Sequence, residues 1–172
     1  MALTYQAIAT VTVGSGGASN IEFTSIPGTY TDLKIVISSR STQAALGEAN
    51  RISFNGNTTN TDYTQKRLLG TGSAASSQSQ TTRETFFNVG DNATASTFAN
   101  SEIYIPNYTS SNQKSASIDS VTENNGTEAY AALIAINWSG TAAITSVSFT
   151  SENSANFVQY STATLYGIKN TV

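Results

Sequence analysis

The chain contains no cysteine and no histidine, and only two of its 172 residues are proline. Without cysteine no disulfide can form, so packing, hydrogen bonding or assembly must supply the stability. Without either residue a Cys/His zinc site, a cysteine nucleophile and a Ser-His-Asp triad are all excluded. Charge is scarce as well. Charged residues make up 11% of the chain, against about 25% in an ordinary soluble domain. The eight Lys and Arg are scattered and the net charge is -3, which argues against nucleic acid as a partner. No apolar stretch approaches transmembrane length, so membrane insertion is not expected. Met1-Ala2-Leu3-Thr4-Tyr5-Gln6 lacks the basic region and apolar run of a secretory signal. This predicts synthesis in a cytoplasm, with release on lysis.

What fills the gap is Ser, Thr and Asn, numbering 24, 26 and 16. A chain of this length buries roughly 70% of its unfolded surface. One domain over residues 1–172 is therefore expected. Period-2 alternation dominates the pattern. Tyr5, Ala7, Ala9, Val11 and Val13 share a face, with Ile8 as the exception. Leu33, Ile35 and Ile37 alternate with polar neighbours, as do Ile52 and Phe54, and Ile103 and Ile105. These are half-buried antiparallel strands. Turn signals at Gly14-Ser15-Gly16-Gly17, Pro27-Gly28, Asn55-Gly56-Asn57 and Ser139-Gly140 punctuate about ten strands, which is too many for one sheet. The fold class predicted is all-β, an antiparallel β-sandwich of jelly-roll type. Gly70–Gln80 has no apolar anchor and reads as a long polar surface loop. The stretch Glu128–Ile136 could form a helix, but its place between strands favours a strand.

Chemistry must rest on carboxylates and tyrosines. Asp119 and Glu123 are the best pair, but four residues along a strand separate them by about 13 Å. That is too far for either glycosidase geometry. Asp91-Asn92 and Asn55-Gly56-Asn57 offer oxygens but lack the carboxylate density of a calcium loop. No cofactor, metal or catalytic residue is expected. Phe86-Phe87 places adjacent rings on opposite faces of a strand, so one ring can face a partner. Tyr5 lies in the N-terminal strand, Leu3–Val13, a second candidate contact. Tyr63 and Tyr108 could stack on sugar rings. These five aromatics are the candidate interface residues. Trp138 reads as a core anchor. A surface rich in Thr, Ser and Asn repels partners weakly and loses little side-chain entropy on burial, which suits contact with copies of itself or a large assembly.

Several strings carry a resemblance. They are Ile26-Pro27-Gly28-Thr29-Tyr30-Thr31-Asp32-Leu33, Arg51-Ile52-Ser53-Phe54-Asn55-Gly56, Glu102-Ile103-Tyr104-Ile105-Pro106-Asn107-Tyr108, Asp119-Ser120-Val121-Thr122-Glu123-Asn124-Asn125 and Tyr160-Ser161-Thr162-Ala163-Thr164-Leu165-Tyr166-Gly167-Ile168. In this order the chain resembles small β-rich virion proteins and fibre-tip domains of tailed bacteriophages of marine bacteria and cyanobacteria. The resemblance implies a virion structural role without catalysis. Two roles then compete: a capsid decoration protein bracing the head, or a fibre component touching the host. The partners implied are the chain itself, as a homotrimer at a local symmetry point, the major capsid protein, and a host surface glycan under the second role. The chain has neither coiled-coil nor β-helical shaft repeats, which favours direct docking on an existing surface.

Overall fold

The structure, a computed structural model, describes residues 4–126 and 129–169. Twelve strands run in order: β1 (Tyr5–Thr12), β2 (Asn20–Phe23), β3 (Asp32–Ser39), β4 (Gly47–Phe54), β5 (Tyr63–Gly70), β6 (Ala75–Gln80), β7 (Glu84–Val89), β8 (Ala99–Ile105), β9 (Lys114–Val121), β10 (Ala131–Trp138), β11 (Val147–Ser151) and β12 (Thr162–Ile168). They form an eight-stranded sheet, β1-β12-β3-β8-β9-β10-β5-β6, and a four-stranded sheet, β2-β11-β4-β7. All pairings are antiparallel.

The connectivity makes this a jelly roll with an extension. Chain crossings β1 to β2, β3 to β4, β7 to β8 and β11 to β12 each change sheet. The quartets β1-β12-β3-β8 and β2-β11-β4-β7 are therefore two interleaved Greek keys. Two hairpins are inserted into this frame, β5–β6 between β4 and β7, and β9–β10 between β8 and β11. Both add to the same side of the first sheet, beyond β8.

The core lies between the sheets. Ile35, Ile37, Ile103, Ile118, Ile134 and Leu165 of the larger sheet meet Ile21, Ile52, Phe149 and Phe86 of the smaller. Alternation is cleanest in β8 and β9, whose residues are buried and exposed by turns. Phe54, Tyr63 and Trp138 pack as an aromatic cluster, with Trp138 5.6 Å from Phe54 and 6.4 Å from Tyr63. Trp138 is thus a core anchor. Its ring lies over Gly140, where a Cβ would come within 2.2 Å of it.

Many buried polar groups find partners within the chain. Ser39 Oγ donates to Asn88 Oδ1, and Asn88 Nδ2 to Asn50 Oδ1 at 2.7 Å. The buried Arg40 guanidinium donates to the carbonyls of Asp91, Ala93, Thr94 and Thr97, closing that loop. The buried Lys114 ammonium donates to the carbonyls of Ser110, Asn112 and Thr141, although burial pulls its pKa below the ordinary value. Such cations remain inside only because carbonyl oxygens replace their water.

Two sequence expectations need correction. Residues 70–80 are not a long loop: β5 runs to Gly70, a turn follows, and Ala75–Gln80 is strand β6, in unbroken register with β5. Backbone pairing makes the strand, although its side chains bury almost nothing. In β1 the register shifts between Ala7 and Ala9. This bulge turns Ile8 and Val11 onto the core and leaves Tyr5, Ala7 and Ala9 exposed. The stretch from Ala131 is a strand, as the sequence favoured, while Glu128 lies outside the described residues, as does Leu3 of the N-terminal stretch. Among the described residues no helix is long and apolar enough to cross a membrane.

Candidate functional site

The second sheet covers one face of the eight-stranded sheet; the other is open. The strand register defines rows of neighbours across this open face. One row runs Thr10, Thr164, Val36, Glu102, Asp119, Leu133, Leu68 and Ser77. The next runs Tyr166, Lys34, Tyr104, Ser117, Ala135, Lys66 and Ser79. Most positions are small or hydroxylic, because these strands alternate and their apolar residues point inward.

Of the four charged residues in these rows, Lys34 and Glu102 pair with each other, while Asp119 and Lys66 make no ion pair among the described residues. Lys34 Nζ sits 2.7 Å from Glu102 Oε2, and this hydrogen bond raises the Lys34 pKa. Tyr104 donates its hydroxyl proton to Asp32 Oδ2 at 2.8 Å, which raises the phenol's pKa. Thr10 and Thr164 hydroxyls bond at 3.1 Å. Lys66 Nζ donates to Ser79 Oγ.

Two leucines break the polar pattern. Leu68 on β5 and Leu133 on β10 lie directly opposite each other, and each is 58% exposed. They line a trough of about 670 Å3 with Lys66, Ser77, Ser117 and Ala135. A second depression of about 550 Å3 continues it past Gly70, Ala75 and Ala131. The trough runs out to β6, the free edge of the sheet. β6 carries no charge, no proline and no bulge, the devices that ordinarily blunt an edge. The opposite edge, β1, carries its bulge. The face thus combines few charges, an exposed leucine pair near one side and an edge strand without those devices.

The structure does not assemble the five predicted interface aromatics into one surface. Phe86, Phe87, Tyr63 and Tyr108 are buried in the chain's own core, which corrects their assignment as contact residues. A bulge between β4 and β7 explains the phenylalanines. Phe86 meets Phe149 edge-on at 5.3 Å, while Phe87 packs 5.0 Å from Tyr130 beneath the Arg67 guanidinium. The rings do diverge, but β7 lies between the sandwich interior and the extension, so both are covered. Tyr63 Oη accepts from the Phe54 amide and donates to the Asn57 carbonyl, both at 3.0 Å. Tyr108 donates to the Pro27 carbonyl. Neither ring is available to a sugar. Tyr5 is exposed, at 53%, but it lies on β1, at the far side of the sheet from the leucines.

Sequence reasoning missed Leu68 and Leu133. A signal existed in Ala131-Ala132-Leu133-Ile134-Ala135-Ile136, which is apolar on both faces of an antiparallel strand. One of its faces must be either covered or unusually exposed.

Burial first, then the neighbouring charge of Glu84, hold the Glu152 carboxyl above the ordinary range. Among the described residues no group of three His, Cys, Asp or Glu could hold a metal. No family model, curated protein or solved structure matches this chain.

Proposed function

We propose that this chain is a structural protein of a tailed-bacteriophage virion, a decoration protein that docks on the capsid shell through the open face of its eight-stranded sheet. The observation that carries the reading is the Leu68–Leu133 pair, exposed toward the β6 edge of a face that carries few charges, two of them ion-paired with each other. Each leucine gains about 1.5–3 kcal/mol when buried, and burial requires a partner. The likeness to small virion proteins supplies the kind of partner, the major capsid protein. Bracing is then mechanical: a protein spanning neighbouring shell subunits adds interface free energy against their separation. The role needs no chemistry, and the absence of histidine agrees with that. The same proposal includes a homotrimer, which would match local three-fold points of an icosahedral shell.

The test is copy number, by quantitative mass spectrometry of purified virions against the major capsid protein. Decoration predicts hundreds of copies per particle. A few to a few dozen would overturn it in favour of a tail, vertex or fibre component contacting a host glycan. The protein's absence from particles would overturn both.

A further inference from the structure

On the opposite side of the sandwich, the outer face of the four-stranded sheet carries a polar cup of about 490 Å3. Arg51 on β4 lies beside Thr150 on β11, and Thr150 beside Asn20 on β2. These three share the cup with Arg83, Ser19 and Ser154. The lining therefore consists of two guanidinium groups, one carboxamide and hydroxyls, with no carboxylate.

The positive charge is incompletely compensated. Arg51 Nη2 is 3.5 Å from Glu152 Oε1, and Arg67 Nη1 is 3.9 Å from Glu84 Oε2. Arg83 makes no ion pair among the described residues. It donates only to Ser53 Oγ at 2.9 Å and the Ile52 carbonyl at 3.4 Å. Arg51 and Arg67 thus each have a carboxylate, and Arg83 has none. Nε of Arg51 and Nε of Arg83 are buried with no acceptor. Burial first, and then the Arg51 charge, depress the Arg83 pKa. Two neighbouring cations lining one cup, one of them without an ion pair, call for an acceptor bearing negative charge.

We propose that this cup binds an oxyanion: a carboxylate, sulfate or phosphate group, either free or carried on an acidic sugar. Arg51 and Arg83 supply the charge, and Asn20 and the serine and threonine hydroxyls supply neutral donors around the rim. The site does not depend on the docking proposal. It faces away from the open face of the eight-stranded sheet, so a chain docked by that face still presents it to solution.

Isothermal titration calorimetry of the whole protein tests this at constant ionic strength. The probes are sodium sulfate, sodium phosphate and an oligogalacturonate, with sodium chloride as the reference. Saturable binding of at least one oxyanion is expected. Arg83→Gln should weaken it at least about tenfold, the cost of one lost charge-assisted contact. Because Arg83 also supports β4, Asn20→Asp provides a second variant. Asn20 is exposed, so the fold is unaffected, and the added carboxylate should weaken binding by a similar factor. Tighter binding of the oligogalacturonate than of sulfate or phosphate would identify an acidic glycan as the source. Equal binding would identify the free anion. No saturable binding beyond chloride at about 10 mM ligand, or binding unaffected by both variants, would overturn the proposal.

Discussion

Ile134 and Leu133 are adjacent on β10, yet one is buried and the other is 58% exposed. Strand periodicity gives them opposite faces; the second sheet covers only one. Ile134 contributes to folding with a partner already present in the chain. Leu133 gains little from folding, and its hydrophobic free energy remains available for association. The two faces of the same strands therefore divide the labour: the inner holds the fold, the outer is free to hold a neighbour. The two edges of the sheet repeat the contrast. β1 is fastened by Ile8 and Val11 and blunted by a bulge, whereas β6 buries no apolar side chain and is held by backbone pairing and polar side-chain bonds to β5.

The contrast can be broken by substitution. Ile134→Ala should cost about 3 kcal/mol, the usual loss for a truncated core aliphatic, while Leu133→Ala should stay within about 0.5 kcal/mol. Urea unfolding reads both, and equal losses would mean that the outer face is part of the fold. Next in size, Gly140→Ala pushes a methyl group into the Trp138 ring and should cost about 1–3 kcal/mol, lowering the thermal midpoint and changing tryptophan fluorescence. At the edges, Val11→Ala in β1 should cost about 1 kcal/mol. Ser77→Ala in β6 should change stability by no more than about 0.3 kcal/mol.

The smallest effect is in pH dependence. The Glu152 pKa is raised above its ordinary value of 4.5, so the folded protein holds that proton more tightly than the unfolded chain. The resulting stabilisation is complete below the ordinary value and is lost as pH rises through the raised one. Unfolding midpoints of wild type should fall slightly across that window, and Glu152→Gln should flatten the slope.

Sequence periodicity was informative wherever a strand buries alternate side chains. Leu33, Ile35, Ile37, Ile103 and Ile105 show this pattern, and the jelly-roll class followed from the number and spacing of such runs. It was blind to β6, because Ala75–Gln80 bury no apolar residue and owe their conformation to pairing with β5. It was half right on β1: Val11 and Val13 pack inward as expected, but the one-residue bulge leaves Tyr5, Ala7 and Ala9 exposed. It misplaced Tyr63, Tyr108 and the two phenylalanines for a related reason. Whether a face is covered depends on which distant strand folds over it, and the inserted hairpins that flank β7 are long-range features. Leu68 and Leu133 meet only because β5 and β10, more than 60 residues apart, are neighbours in the sheet. The arginine cup was hidden in the same way, since Arg51 and Arg83 come together only through the pairing of β4 with its neighbours.

The most direct test of the outer face is rebinding to particles. Virions stripped of this protein would be titrated with wild type and with the Leu68→Ser/Leu133→Ser double variant, scoring occupancy by cosedimentation. The docking account predicts saturable wild-type binding and at least about a tenfold loss in the variant, with the unfolding midpoints of the two proteins nearly equal. Equal binding by a folded double variant would contradict it.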